Sequence, residues 1–120
     1  MVKSYRDLLV WQKSKQAVKE VYLLTAAFPK EEMYGLTSQI RRSSVSVPSN
    51  IAEGHARKST KEFSHFISIA LGSLAELETQ IEIASDLSFI EYNKLQIIMN
   101  SLDEIGKMLR GLQNSLTTNP

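Results

Sequence analysis

Apolar residues recur three and four positions apart along almost the whole chain, which is the spacing that puts side chains on one face of an α-helix. The longest stripe begins at Phe63 and continues through Ile67, Ala70, Leu74, Leu77, Ile81 and Ala84. No alternation typical of β-strands competes with this pattern. The pattern predicts four helices, over residues 7–27, 36–56, 60–87 and 90–116.

Capping residues mark where two of these helices begin. Ser59 and Glu62 stand three positions apart before the third helix, as in a capping box, where hydroxyl and carboxylate satisfy free backbone amides. Ser88 and Glu91 repeat that spacing before the fourth helix. We therefore expect the third and fourth helices to begin just after these two serines.

Two prolines shape the first half of the chain. Pro29 ends the first helix, and the connector over residues 30–35 is expected to hold a single helical turn. Pro48 lies inside the second helix, where it removes one backbone hydrogen bond and crowds the carbonyl of Ser44. A kink is therefore expected near residues 44–48.

The connections between these long helices are short, which makes successive helices antiparallel neighbours. The expected fold is all-α, an up-down-up-down four-helix bundle. A chain of 120 residues suits one such domain over residues 1–120.

Composition narrows the functional classes. There is no cysteine, so disulfides, thiolate chemistry and Cys-ligated zinc are excluded. Neither a cleavable hydrophobic leader nor an apolar run long enough for a membrane span is present. A cytoplasmic protein with no membrane contact is the expectation.

Charge is distributed unevenly, although the net charge is only +1. Residues 41–61 hold five basic residues against the single acid Glu53, whereas residues 62–91 hold six acids and no Lys or Arg. Residues 1–30 form a second basic zone. Either zone could attract phosphate or an acidic surface.

Little in the chain points to catalysis. Glu62-x-x-His65 has the spacing found in di-iron bundles, but that motif must occur twice, and His55 is the one other histidine. Glu53 lies near His55 in sequence, which is weak support for an acid–base pair. No nucleophile elbow or phosphate-binding loop is present. We expect no catalytic residue, no cofactor and no metal, and hence no enzyme.

A polar stripe on the second helix is the least expected feature. Residues at helical spacing form one line beside the apolar one, namely Gln39, Arg42, Ser46, Asn50 and Glu53. The third helix carries a similar line of Ser73, Glu76 and Gln80. One interpretation is a buried seam in which Arg42 pairs with Glu76, because a buried guanidinium needs a partner. The other is an interface between subunits.

Basic residues around the end of the second helix suggest a second kind of site. Arg41, Arg57, Lys58 and Lys61 could contact RNA phosphates without reading base sequence. No aromatic residues interleave with them to form a base-stacking platform.

Several motifs together resemble a known family. They include Val10-Trp11-Gln12-Lys13, Tyr34-Gly35-Leu36-Thr37, Gln39-Ile40-Arg41-Arg42, Ser46-Val47-Pro48-Ser49-Asn50-Ile51-Ala52-Glu53-Gly54 and Gly72-Ser73-Leu74 with Glu76-Leu77-Glu78-Thr79-Gln80. The chain resembles the four-helix-bundle proteins encoded by intervening sequences within bacterial 23S rRNA genes. The resemblance implies a homopentameric ring with an RNA-related role. Related bundles serve as accessory subunits of diversity-generating retroelements, where a basic pentamer works with a reverse transcriptase.

Two functional hypotheses follow. The first is a non-catalytic oligomeric bundle that binds RNA or a ribonucleoprotein, with Arg41, Arg57, Lys58 and Lys61 at the contact. The alternative is a structural or protein-interaction scaffold, such as an accessory subunit of a reverse-transcriptase system, that uses the polar stripe for assembly.

Overall fold

Four helices and two short 3₁₀ turns make up the fold in the computed structural model, which describes residues 2–117. The helices are α1 (Leu9–Thr25), α2 (Leu36–His55), α3 (Thr60–Asp86) and α4 (Tyr92–Thr117). The 3₁₀ turns are Tyr5–Asp7 and Lys30–Glu32. No strand lies in the described residues. The predicted all-α four-helix fold is confirmed, and each helix begins and ends within two residues of its predicted position.

Each helix packs against two others, and the four enclose one core. α1 and α3 both lie against α2 and α4. Between α2 and α3, Ser43 contacts Gln80 and Ser46 contacts Ser73. Contacts further along α2 are therefore made with earlier residues of α3. The fully buried side chains come from every helix and include Val21, Ile40, Ile51, Ile67, Leu77, Ile81, Leu102 and Leu109.

The two capping-box spacings have different outcomes. The Ser59 hydroxyl accepts the backbone N–H of Glu62 at 3.1 Å, so it caps α3 as expected. Ser88 instead ends α3: it has a φ of 65°, and Phe89 N–H donates to the Ala84 carbonyl at 2.9 Å. This is the backbone pattern of a Schellman C-cap. The prediction that Ser88 starts the fourth helix is wrong, and α4 begins at Tyr92.

The chain stays helical through Pro48, since α2 continues without interruption to His55. Pro48 is buried, and its ring lies among the residues that face the core. The kink at residues 44–48 and the up-down-up-down order stay predictions. Across residues 2–117, none of the helices is both long and apolar enough to cross a membrane.

The molecule is elongated, 50 × 24 × 20 Å, and its two ends differ in charge. At one end the rings of Phe28 and Phe89 lie 5.6 Å apart, which joins the α1–α2 and α3–α4 connections. That end carries four acids in or beside these connections, Glu31, Glu32, Asp86 and Glu91, against the two lysines Lys30 and Lys94. The α2–α3 connection, residues 56–59, lies at the other end.

Candidate nucleic-acid interface

The end of α2 approaches the start of α3 very closely, and this approach places the basic residues of the α2–α3 connection. A Cβ atom at Gly54 would lie 2.6 Å from the Phe66 Cβ and 3.3 Å from the Phe63 carbonyl oxygen. Because real Cβ atoms do not come that close, only glycine allows this contact. The short connection after His55 exposes Arg57 and Lys58 to solvent, and the first turn of α3 exposes Lys61 beside them.

These three cations are held in different ways. Arg57 donates to the Glu53 carboxylate at 2.9 Å, and its guanidinium lies 4.8 Å from the centre of the Phe66 ring. Lys58 and Lys61 are exposed and make no ion pair within residues 2–117. Arg57 is therefore a fixed cation, whereas the two lysines are free to contact a ligand.

The N-terminal segment adds two further cations to this end. The His55 ring nitrogen Nε2 lies 3.2 Å from the Val2 carbonyl oxygen, and the Tyr5–Asp7 turn packs against α2. Exposed Lys3 and Arg6 belong to this segment. We call the resulting surface the basic end. Its five cations, against the three acids Asp7, Glu53 and Glu62, are Lys3, Arg6, Arg57, Lys58 and Lys61.

Sequence reasoning treated the two basic zones separately and missed that Lys3 and Arg6 join the other three. The signal was available, because in a bundle with short connections the start of α1 lies at the same end as the last turn of α2. Glu53, which the sequence placed in the polar stripe, also belongs here because it pairs with Arg57.

The polar seam between α2 and α3 is present, but its members differ from those expected. The buried Ser43 hydroxyl donates to Gln80 Oε1 at 2.7 Å, and Ser46 and Ser73 share a hydrogen bond of 2.8 Å. The Asn50 amide donates to the Ser46 hydroxyl at 2.9 Å. Ser43 is the residue that the sequence analysis left out of the seam, and it replaces Arg42 as the link to α3.

Arg42 itself is exposed and makes no ion pair with Glu76, so the interpretation of a buried Arg42–Glu76 pair is wrong. Glu76 instead accepts a long hydrogen bond, 3.4 Å, from the Gln80 amide. The side chains of Arg42 and Glu76 line an open groove of about 340 Å³ on the outer side of the seam. Its lining residues are Gln39, Arg42, Ser43, Ser46, Glu76 and Gln80.

Arg41 faces α1 rather than a ligand. Its Nε donates to the Thr25 hydroxyl at 2.9 Å, and its guanidinium lies 4.6 Å from the centre of the Tyr22 ring. It also lies far from Lys58 and Lys61, toward the opposite end of α2. The structure therefore separates Arg41 from the other three residues expected at an RNA contact.

Neither histidine belongs to a cluster of acid–base or metal-ligating groups. His65 is exposed and packs edge-on against Phe66, and His55 packs edge-on against Phe63. Within residues 2–117, no three His, Asp or Glu side chains are grouped in a way that could hold a metal ion.

Comparison with known proteins places this geometry in a family. None of the curated proteins matches the chain. Among solved structures, the fold is similar to a protein of unknown function from the S23 ribosomal protein family of Bacteroides thetaiotaomicron VPI-5482. The two are 28% identical with a TM-score of 0.80, over 88% of this chain and 96% of the other. The family profile described as 23S rRNA-intervening sequence protein matches residues 6–111. The chain therefore belongs to the 23S rRNA-intervening sequence protein family.

Proposed function

We propose that this protein is a non-catalytic, self-assembling helical bundle that binds RNA in the cytoplasm. Its basic end contacts the phosphates of the RNA backbone. The observation that carries the proposal is the exposure of Lys58 and Lys61, unpaired, beside the fixed guanidinium of Arg57. Phosphate contacts of this kind give affinity without reading base sequence.

The charge distribution along the molecule supports this orientation. The basic end is separated from the acidic connections by the long dimension of the bundle, 50 Å. That distance is several times the Debye length of about 8 Å at physiological salt, so the acidic end barely weakens the field at the basic end. An approaching polyanion is therefore steered toward one end of the protein.

The similar proteins support RNA as the polyanion. The matching family takes its name from 23S rRNA intervening sequences, and the similar solved structure is assigned to a ribosomal protein family. A ring of copies, a homopentamer by resemblance, would bring several basic ends together on one face. Several weak phosphate sites on one assembly act together and raise the overall affinity.

The test is binding of a structured RNA to the full chain, followed by fluorescence anisotropy. Lys58→Glu combined with Lys61→Glu should weaken binding by roughly tenfold or more at physiological salt. The control is Lys19→Glu with Lys107→Glu, which changes the net charge equally but lies along the sides of the bundle. Equal loss in both double variants would contradict the basic end as the RNA site.

The groove outside the α2–α3 seam favours a second candidate, a scaffold that assembles through its polar stripe. Arg42 and Glu76 flank this groove without pairing, so both charges are available to another chain. An accessory subunit of a reverse-transcriptase system would use such a surface. For this candidate, Arg42→Glu dissociates the assembly in light scattering while circular dichroism shows that the helical content is unchanged. An intact assembly would count against it.

A further inference from the structure

An apolar groove runs between the last turns of α1 and the first turns of α4. It is open to solvent, has a volume of about 230 Å³, and is lined by Leu23, Leu24, Ile97 and Ile98. Leu23 is 69% exposed and Ile97 is 64% exposed, although both are large aliphatic side chains. These two side chains leave the apolar groove open to solvent, where another apolar side chain can reach it.

An exposed aromatic knob projects from the α1–α2 connection of the same molecule. Tyr34 is 96% exposed, and its neighbour Met33 is 46% exposed. The backbone beneath them is fixed: Gly35 N–H donates to the Glu32 carbonyl at 3.0 Å, and Leu36 N–H donates to the Glu32 carboxylate at 3.3 Å. A knob held in this way loses little conformational freedom when it docks.

The knob and the groove match in size and in character. An apolar cavity of about 150 Å³ holds a benzene ring, so the α1–α4 groove has room for a tyrosine ring. Its open side allows the phenolic hydroxyl to stay in contact with water, which is the usual arrangement for Tyr at interfaces.

Charges at the edges match as well. Glu20 and Lys94 line the groove, and neither makes an ion pair within residues 2–117. The segment that precedes the knob carries Lys30 and Glu31, which are also without ion pairs in that part of the chain. Docking of the knob can therefore set Lys30 against Glu20 and Glu31 against Lys94.

We propose that Tyr34 of one copy inserts into the α1–α4 groove of a second copy. The two patches are different surfaces of one chain, so the contact is heterologous and repeats from copy to copy. Both patches lie at the acidic end of the bundle, so neighbouring copies stand side by side with their basic ends on one side. This inference rests on the self-assembly in the proposed function and names the contact that produces it.

The first experiment is light scattering of the full chain without RNA. Tyr34→Ala and Ile97→Asp should each shift the protein from the assembled form to the monomer. Circular dichroism should show unchanged helical content because both side chains are exposed, whereas the melting temperature falls as assembly is lost. Tyr92→Ala and Leu9→Asp, which change exposed residues outside the knob and groove, should leave the assembly intact. If the unsubstituted chain is a monomer, self-assembly itself fails. If it assembles and the Tyr34→Ala and Ile97→Asp chains still do, only this contact is wrong.

The second experiment uses the absence of cysteine from the chain. Met33→Cys and Lys94→Cys chains, which keep Tyr34 in the knob and Ile97 in the groove, are oxidised separately and after mixing. A heterologous contact gives covalent dimers in the mixture and few in either chain alone. Dimers of equal yield in Met33→Cys alone, or no dimers in the mixture, would overturn the proposal.

Discussion

The guanidinium of Arg41 is fixed against the last turn of α1, where its Nε donates to the Thr25 hydroxyl at 2.9 Å. A second nitrogen, Nη2, lies 3.4 Å from the Tyr22 carbonyl oxygen, and the guanidinium covers the Tyr22 ring. A cation at a helix C-terminus also interacts favourably with the helix dipole. Arg41 therefore joins α2 to α1.

Substitution of Arg41 should cost stability, whereas substitution of its neighbour should not. Arg41→Ala removes the hydrogen bonds and the ring contact, and we expect a loss of about 1–2 kcal/mol in the free energy of unfolding. Arg42→Ala changes an exposed residue without an ion pair and should stay within about 0.5 kcal/mol. Urea denaturation of the two variants makes the comparison, and equal effects would argue against the assigned contacts.

Gly54 should resist even the smallest substitution. In Gly54→Ala the new methyl group meets the Phe66 Cβ, which is not the flexible end of a side chain, so α2 and α3 must separate. We expect a loss of about 1–3 kcal/mol, as in other overpacked sites. Thermal denaturation measures it.

Gly72 provides the matched control for this substitution. It lies within α3, and a Cβ there would meet no atom within 4 Å. Gly72→Ala should therefore stabilise the protein by up to about 1 kcal/mol, because alanine favours the helix. Destabilisation by both substitutions would show that close packing at Gly54 is not the cause.

The Glu78 carboxylate should make stability depend on pH. Burial raises its pKa above the ordinary value of 4.5, the charges of Asp103 and Glu82 raise it further, and Arg110 opposes them. The folded state therefore binds the proton more tightly than the unfolded state, and stability falls as pH rises from about 4.5 through the raised pKa.

Glu78→Gln removes this penalty. The variant should be more stable than the original protein at pH 7, and the difference should disappear as pH falls below 4.5, the ordinary value. Asp103→Asn should narrow the pH range of the effect, because it brings the Glu78 pKa closer to the ordinary value. Denaturant unfolding of both variants between about pH 4 and about pH 7 measures how their free energies of unfolding depend on pH. If the stability difference between Glu78→Gln and the original protein grows on acidification, the pKa of Glu78 is lowered rather than raised.

The helices were predictable because the apolar period, prolines and the Ser59 cap agree with one another. The role of Ser88 at the end of α3 was not predictable. A serine three residues before a glutamate can cap the start of a helix, but it can also stand just after the end of the preceding one. A residue there can leave the helix with positive φ, and the backbone bond from Phe89 to Ala84 then closes the turn. Which event occurs depends on where the preceding helix stops packing.

The candidate site was predictable in its membership at Arg57, Lys58 and Lys61 but not in the orientation of Arg41 and Arg42. Adjacent helical positions point about 100° apart, so the sequence shows that the two arginines face different directions. It does not show which one faces α1, because that depends on the rotation of α2 about its own axis. The acceptors that fix Arg41, Thr25 and the Tyr22 carbonyl, lie on another helix.

Contact between RNA phosphates and the basic end should make binding depend on salt. The slope of log affinity against log salt for a structured RNA should be negative in the original protein. In Lys58→Gln combined with Lys61→Gln it should become shallower by roughly 1.5, since each phosphate contact contributes about 0.7–0.9. Lys19→Gln with Lys107→Gln should leave the slope unchanged. A slope that is the same in the original protein and in the double variant of Lys58 and Lys61 would show that these lysines do not contact RNA phosphates.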